Sequence, residues 1–129
     1  MHAVDTNVLV RLIVADDARQ AARARALFER HTIFVADTVL LETEWVLRSC
    51  YGLPSKAVHT HLTALAGLPQ VILQAPQRAA KALEWYGVGL DFADALHMAA
   101  CNEGVTFATF DRRLGKAANK AGIDDIELL

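Results

Sequence analysis

Short apolar runs alternate along the chain with longer amphipathic stretches. The short runs contain Val, Ile or Phe and have the length of buried strands; they lie at 2–4, 33–36, 71–73, 105–108 and 126–128. Between them the apolar residues follow a helical spacing, at 7–14, 18–30, 39–50, 55–66, 77–86, 91–103 and in a short stretch ending near Lys120. This alternation predicts an α/β fold with a short, mostly parallel sheet covered by helices on both faces.

Capping residues mark where several of these helices begin. Asp16 or Asp17 can cap the helix at 18–30, and Asp37 or Thr38 the helix at 39–50. Gly104 is expected to end the helix at 91–103. No internal repeat and no linker rich in Gly, Pro or Ser interrupts this order, so residues 1–129 are expected to form a single domain.

Composition and charge narrow the classes of function. The chain has 13 Lys and Arg and 15 Asp and Glu, a net charge of −2, so nucleic acid would have to bind at a local patch or through metal. Cys50 and Cys101 lie far apart, which excludes a CxxC motif and a zinc knuckle and fits a reducing compartment. No signal peptide and no apolar stretch of ~18 residues is present, so a soluble cytoplasmic protein without membrane contact is expected.

Four carboxylates occur where a lone charge is costly. Asp5 and Asp111 follow short apolar runs, whereas Glu42 and Asp94 lie within mostly apolar helices. If the first and fourth strands are neighbours, Asp5 and Asp111 meet at one edge of the sheet, and the two helices can present Glu42 and Asp94 there. Converging carboxylates repel, and a divalent cation relieves the repulsion. Ligation by oxygen alone selects Mg²⁺ or Mn²⁺ over zinc.

The acids also have purely structural explanations. Three acids can serve as helix N-caps: Asp5, Asp91 and Asp111. Glu42 can point to solvent, as its neighbour Glu44 is expected to do. Asp94 lies one turn inside its helix and is the hardest of the acids to explain as a cap. The metal hypothesis therefore depends on all four acids of the set together.

The remaining polar and aromatic side chains are weaker candidates for a functional role. His59 and His61 are two residues apart and cannot share a metal on one helix face, and His97 is expected in the core or in a groove wall. The core is the expected place for the aromatic side chains Trp45, Trp85, Tyr86, Phe92, Phe107 and Phe110, with base stacking as the alternative. A basic rim for phosphates is a minority hypothesis for three arginines of the helix at 18–30: Arg19, Arg23 and Arg30.

Four segments resemble, in order, the motifs of PIN-domain ribonucleases. They are 4–11 (VDTNVLVR), 41–47 (LETEWVL), 91–96 (DFADAL) and 109–112 (TFDR). The resemblance covers essentially the whole chain and is strongest to the VapC toxins of type II toxin–antitoxin systems. It implies a PIN-like three-layer α/β/α sandwich with a short, mostly parallel central sheet.

The resemblance also implies a function and a set of site residues. It implies a metal-dependent endoribonuclease using Mg²⁺, or Mn²⁺ in its place, on single-stranded or loop RNA. The implied metal ligands and catalytic residues are Asp5, Glu42, Asp94 and Asp111, with Asn7, Asp91 and Thr109 in support. The implied partners are an antitoxin that covers the acidic groove and a second copy of the chain in a homodimer.

Two other classes of function remain open at this stage. One is a different Mg²⁺-dependent phosphotransfer enzyme, although a haloacid-dehalogenase phosphatase would need Asp where Asn7 stands. The other is a non-catalytic PIN-like module that binds only a protein partner. A metal-binding measurement separates a metal-dependent enzyme from such a module.

Overall fold

The computed structural model describes residues 1–129, and helices and strands alternate along the whole chain. The elements are β1 (His2–Ala3), α1 (Thr6–Val14), α2 (Ala18–Arg30), β2 (Ile33–Val35), α3 (Asp37–Ser49), α4 (Ser55–Ala66), β3 (Val71–Leu73), α5 (Pro76–Gly87), α6 (Phe92–Ala99), β4 (Phe107–Thr109), α7 (Arg112–Lys120) and β5 (Ile126–Leu128). The chain forms two compact units, Met1–Pro76 and Gln77–Leu129, called here the N-terminal and the C-terminal unit. None of the helices has the length and apolar character that a membrane span would need.

The N-terminal unit is built on a three-stranded parallel sheet with the order β1-β2-β3. Ile33 in β2 is paired with His2 on one side and with Val71 on the other. Two helices connect each pair of neighbouring strands, as parallel pairing requires a long crossover. The sheet therefore brings the carboxyl ends of three strands to the same edge.

The core of the N-terminal unit lies between this sheet and its helices. Helix α1 packs on α2 and α3, and α3 packs on α4. Fully buried leucines come from three of these helices: Leu9, Leu40, Leu47 and Leu62. Each buried side chain of this size contributes roughly 1.5–3 kcal/mol, so helix packing dominates the stability of this unit.

The C-terminal unit contains the parallel pair β4-β5, with Phe107 opposite Ile126. Helix α7 packs on both strands. In α6, Phe92 is fully buried, and its ring meets that of Tyr86 edge to face with centroids 5.1 Å apart. This aromatic contact joins the end of α5 to the start of α6, where the candidate acids of this unit begin.

The α/β class and the parallel pairing of the strands are confirmed. The strands form two sheets, however, rather than one central sheet. β1 is hydrogen-bonded to β2 and β4 to β5, so the first and fourth strands are not paired as the sequence analysis supposed. Strands of two or three residues form few hydrogen bonds with a neighbouring strand. The short apolar runs in the sequence therefore do not determine which strands pair.

Helix boundaries differ from the predictions at two places. Helix α6 ends at Ala99 rather than at residue 103, because the amide of Cys101 turns back to the carbonyl of Met98 at 3.0 Å. Helix α3 begins at Asp37, with Ala36 as its N-cap, so neither predicted capping residue has that position. The predicted cap Asp17 is confirmed for α2, where its side chain accepts a hydrogen bond from the amide of Gln20.

Candidate active site

Asp5 lies just beyond β1, at the point where the chain enters α1. It is exposed and is the N-cap of α1, since its Oδ1 accepts a hydrogen bond from the amide of Val8 at 3.2 Å. The expected capping role is therefore confirmed. The cap bond uses only one carboxylate oxygen, so Oδ2 is not committed to the helix.

Glu42 is fixed by a residue that sequence reasoning did not identify. The buried hydroxyl of Thr6 donates a short hydrogen bond to Oε1 of Glu42 on α3. The rest of Glu42 is exposed, on the face of α3 opposite the buried Leu40 and Leu47. Because Thr6 follows Asp5 directly, this bond connects the Asp5 cap with the Glu42 carboxylate. The position of Thr6 directly after a candidate acid was the signal available in the sequence.

A groove of about 430 Å³ runs beside Asp5 between α1 and α2. Its wall contains Asn7, Arg11 and Arg23 together with apolar side chains of both helices. Arg11 is held by Asp16 at 3.1 Å, by Gln20 and by the hydroxyl of Tyr51, and the Tyr51 hydrogen bond, with the nearby Asp16, raises the pKa of Arg11. Of the three arginines proposed as a basic rim, Arg23 lines this groove.

The C-terminal unit places two candidate acids at the start of α6. Asp91 is the N-cap of α6 and accepts a hydrogen bond from the amide of Asp94 at 3.0 Å, which confirms its expected capping role. Gly89, just before, has φ +108°, a conformation that side-chain-bearing residues rarely adopt. The turn at Gly89 lets the chain leave α5 and enter α6 with both acids in its first turn.

Asp111 lies between β4 and α7. Its Oδ1 accepts hydrogen bonds from the amides of Arg113 at 2.9 Å and Leu114 at 3.2 Å, which makes it the N-cap of α7. Its own amide donates to the hydroxyl of Thr109 at 3.0 Å. Thr109 therefore holds the backbone at Asp111, and the capped helix holds the side chain.

Three acids of the C-terminal unit line one pocket of about 250 Å³: Asp91, Asp94 and Asp111. Burial raises the pKa of Asp94, and the carboxylates of Asp91 and Asp111 raise it further, while the nearby His97 acts in the opposite direction. Arg113 also lines the pocket, but no ion pair of the structure includes any of these acids. Three carboxylates therefore share this pocket with one arginine, and none of them is held in an ion pair.

The donor chemistry of these residues fits a hard divalent cation, since all the candidate ligands are carboxylate oxygens. Burial and the neighbouring carboxylates, which raise the pKa of Asp94, disfavour its negative charge, and a bound cation would offset that cost. No group of three or more His, Cys, Asp or Glu side chains is already arranged so that it could hold a metal ion.

Several expectations about neighbouring side chains are wrong. Glu44 does not point to solvent: it is 2% exposed and accepts a 2.8 Å hydrogen bond from Nε of Arg48, one turn along α3. His97 lies at the surface, which rules out the core position expected for it and leaves the alternative of a groove wall. Trp45 and Phe110 are also exposed, by 54% and 81%, whereas Tyr86 and Phe92 are buried as expected. The apolar spacing of α3 leaves Trp45 on the outer face because Leu40 and Leu47 occupy the inner one.

The fold and its acids define a class: an α/β protein that places carboxylates where short parallel strands lead into helices. Residues 3–120 match the PIN domain family, and the chain belongs to that family. PIN domains are generally nucleases, and PIN nucleases typically use a divalent metal ion. No curated protein and no solved structure matches the chain significantly.

Proposed function

We propose that the protein is a Mg²⁺- or Mn²⁺-dependent endoribonuclease that hydrolyses RNA phosphodiester bonds as the toxin of a VapBC-type toxin–antitoxin pair. Membership of the PIN domain family supports the nuclease activity. The resemblance of the four motifs to VapC toxins supports the narrower role. As such a toxin the protein would act in the cytoplasm, on RNA.

The proposed catalytic residues and metal ligands are Asp5, Glu42, Asp94 and Asp111. One observation carries the proposal more than any other: Asp91, Asp94 and Asp111 line one pocket, and no ion pair includes any of these three carboxylates. If these acids had only a structural role, replacing one of them by a neutral side chain would remove repulsion and raise the stability of the protein. The three acids are explained if their negative charge binds a cation.

The side chains of the chain prepare this site in distinct ways. When bound, a divalent ion lowers the pKa of water and offsets the charge of the phosphate. Asp5 and Asp111 are held by their cap bonds, each of which leaves one carboxylate oxygen for a ligand. Thr6 holds Oε1 of Glu42 and so limits the orientations of that carboxylate. This design needs no 2′-hydroxyl nucleophile and no pair of catalytic histidines.

Three further residues are proposed to support the ligands rather than to act themselves. Thr109 fixes the backbone of Asp111 through a hydrogen bond to its amide. Asp91 fixes the first turn of α6, and its second oxygen can reach the metal through water. Asn7 lines the groove beside Asp5 and offers a polar contact to the substrate.

The groove beside Asp5 supports the proposed protein partner. Apolar side chains of α1 and α2 line it, among them Val8, Ala24 and Leu27, and Arg23 in the same wall can pair with an acidic group of the partner. We propose that an antitoxin segment covers the acidic site from this side and blocks access of RNA. A homodimer of the toxin completes the assembly that the resemblance implies.

The decisive experiment compares RNA cleavage by the wild-type protein and two variants. We expect cleavage by the wild type in Mg²⁺ or Mn²⁺, giving 5′-phosphate and 3′-hydroxyl ends, and none in excess EDTA. Asp5→Asn keeps a capping oxygen for α1 and is expected to abolish cleavage. The control is Asp17→Asn, which changes an equivalent cap of α2 and is expected to leave cleavage intact.

Two results would contradict the proposal. Cleavage by Asp5→Asn at the wild-type rate would remove Asp5 from the catalytic residues. A wild-type protein that neither binds Mn²⁺ nor cuts RNA would be a non-catalytic binding module instead.

A further inference from the structure

Only two aromatic side chains of the protein are exposed. The chain has five Phe, two Trp and two Tyr residues, and all except Trp45 and Phe110 are buried or half-buried. Trp45 is 54% and Phe110 is 81% exposed. Each of them lies beside a different proposed metal ligand.

Trp45 lies one helical turn beyond Glu42 on the exposed face of α3. Residues three and four apart are neighbours on a helix surface, so Trp45 and Glu42 share the exposed face of α3. The same face carries Thr38 and Ser49, which are also exposed. The surroundings of the indole are therefore polar and able to form hydrogen bonds.

Phe110 lies directly before Asp111, between the end of β4 and the start of α7. Its two neighbours are tied together, since the amide of Asp111 donates to the hydroxyl of Thr109. The backbone on both sides of the ring belongs to a strand and a capped helix. The ring is thus presented to solvent from a fixed part of the chain.

The polar setting of Trp45 argues against a protein interface as the reason for its exposure. The core of a protein interface is a continuous apolar patch, whereas Trp45 is a single large apolar side chain among Thr38, Glu42 and Ser49. A flat ring with hydroxyl groups around it suits an unpaired nucleobase, which needs a face to stack on and polar groups near its sugar and phosphate.

We propose that Trp45 and Phe110 are stacking platforms for unpaired nucleobases of the RNA on which the acidic residues act. The inference rests on the proposed nuclease function and names two residues that would bind its RNA substrate. Stacking needs an exposed base face, so both rings suit the single-stranded or loop RNA that the resemblance implies. Because every base has such a face, the two platforms hold RNA without choosing a sequence.

The test measures binding of a short fluorescent single-stranded RNA in which each nucleotide in turn is made abasic. All proteins carry Asp5→Asn, so that the RNA stays intact. We expect particular abasic positions to weaken binding by roughly ten-fold. Trp45→Ala is expected to abolish this sensitivity at one position, and Phe110→Ala at another. Trp45→Phe and Phe110→Tyr keep a ring and should keep the sensitivity.

Val105→Ala is the matched control, because Val105 is an exposed apolar residue that lies beside none of the proposed ligands. It should leave the abasic pattern unchanged. An abasic pattern that is the same with and without Trp45 and Phe110 would overturn the inference. A dimer that dissociates on Trp45→Ala, with that pattern retained, would assign the indole to an interface between two copies and overturn it as well.

Failure of the inference is distinguishable from failure of the proposed function. If the wild type cuts RNA but neither ring affects the abasic pattern, the nuclease stands and the platforms are wrong. If the rings determine the abasic pattern but the wild type never cuts RNA in Mg²⁺ or Mn²⁺, the platforms stand and the nuclease is wrong.

Discussion

The hydroxyl of Thr6 donates a hydrogen bond to Oε1 of Glu42, although 36 positions separate the two residues in the sequence. Thr6 is buried at the start of α1, and Glu42 lies in the second turn of α3. Thr6 also follows the capping residue Asp5 directly. Through this hydrogen bond, the orientation of the Glu42 carboxylate depends on the position of the backbone next to Asp5.

We expect Thr6→Val to lower the rate of RNA cleavage and the affinity for Mn²⁺ by roughly ten-fold or more, because the carboxylate of Glu42 loses the donor that orients it. Thr6→Ser restores a hydroxyl and should restore most of the activity. Thr43→Val is the control, since the buried hydroxyl of Thr43 donates to the carbonyl of Val39 rather than to an acid. Equal losses in the Thr6 and Thr43 variants would indicate a general packing effect.

Two substitutions are expected to separate the capping role of Asp111 from its proposed role in cleavage. Asp111→Asn keeps an oxygen for the amides of Arg113 and Leu114, so cleavage should be lost while the free energy of unfolding hardly changes. Asp111→Ala also loses the cap, at a cost of about 1 kcal/mol. Urea unfolding and RNA cleavage measure the two effects. Asp17→Ala should cost about as much stability and leave cleavage intact, as a cap without catalytic role.

The raised pKa of Asp94 predicts a dependence of stability on pH. A carboxyl whose pKa is higher in the folded state stabilises the fold at low pH, and that contribution is lost as the pH rises through the folded pKa. We therefore expect Asp94→Asn, in EDTA, to raise the free energy of unfolding at neutral pH on the order of a few tenths of a kcal/mol, since water screens a half-exposed carboxylate.

The advantage of Asp94→Asn should shrink as the pH falls towards the ordinary pKa of an aspartate, where the wild-type side chain is itself becoming neutral. Urea titrations over a series of pH values give this comparison. Asp125→Asn, at an exposed acid before β5, controls for the general change of net charge. If Asp94→Asn remained more stable than the wild type by the same amount at low pH, the charge of Asp94 would not be the cause of the difference.

Ala15 offers a prediction about stability alone. It ends α1 with φ 55° and ψ 33°, a left-handed conformation, while its amide donates to the carbonyl of Arg11. Since glycine adopts this conformation without a steric penalty, Ala15→Gly should raise the free energy of unfolding by about 0.5–1 kcal/mol. Ala121→Gly is the control, because Ala121 ends α7 in a right-handed conformation and should gain nothing.

The long amphipathic helices were the most predictable part of the fold. The predicted bounds of α2 and α4 agree with the structure, because each has a strong apolar periodicity and clear end signals. The strands were harder to predict. The apolar run at 105–108 predicts a strand over those residues, whereas β4 lies at Phe107–Thr109. Its register is decided by pairing with β5, far along the chain, and a local apolar run does not contain that information.

The candidate acids could be proposed from the sequence because each lies at a strand end or on a mostly apolar helix. Their contacts could not, since the link from Thr6 to Glu42 exists only after α1 and α3 pack together. The error about Glu44 was avoidable. Arg48 follows it by four residues, the spacing of an ion pair on one helix face, and such a pair allows a carboxylate to be buried.

Asp5, Asp91 and Asp111 each cap a helix as well as contributing to the proposed chemistry. An amide oxygen caps a helix about as well as a carboxylate does. A single base change in an aspartate codon is therefore expected to remove a carboxylate of the proposed site and leave the scaffold intact. Under the proposed function, a copy altered in this way would still fold and would still present the surface proposed for the antitoxin.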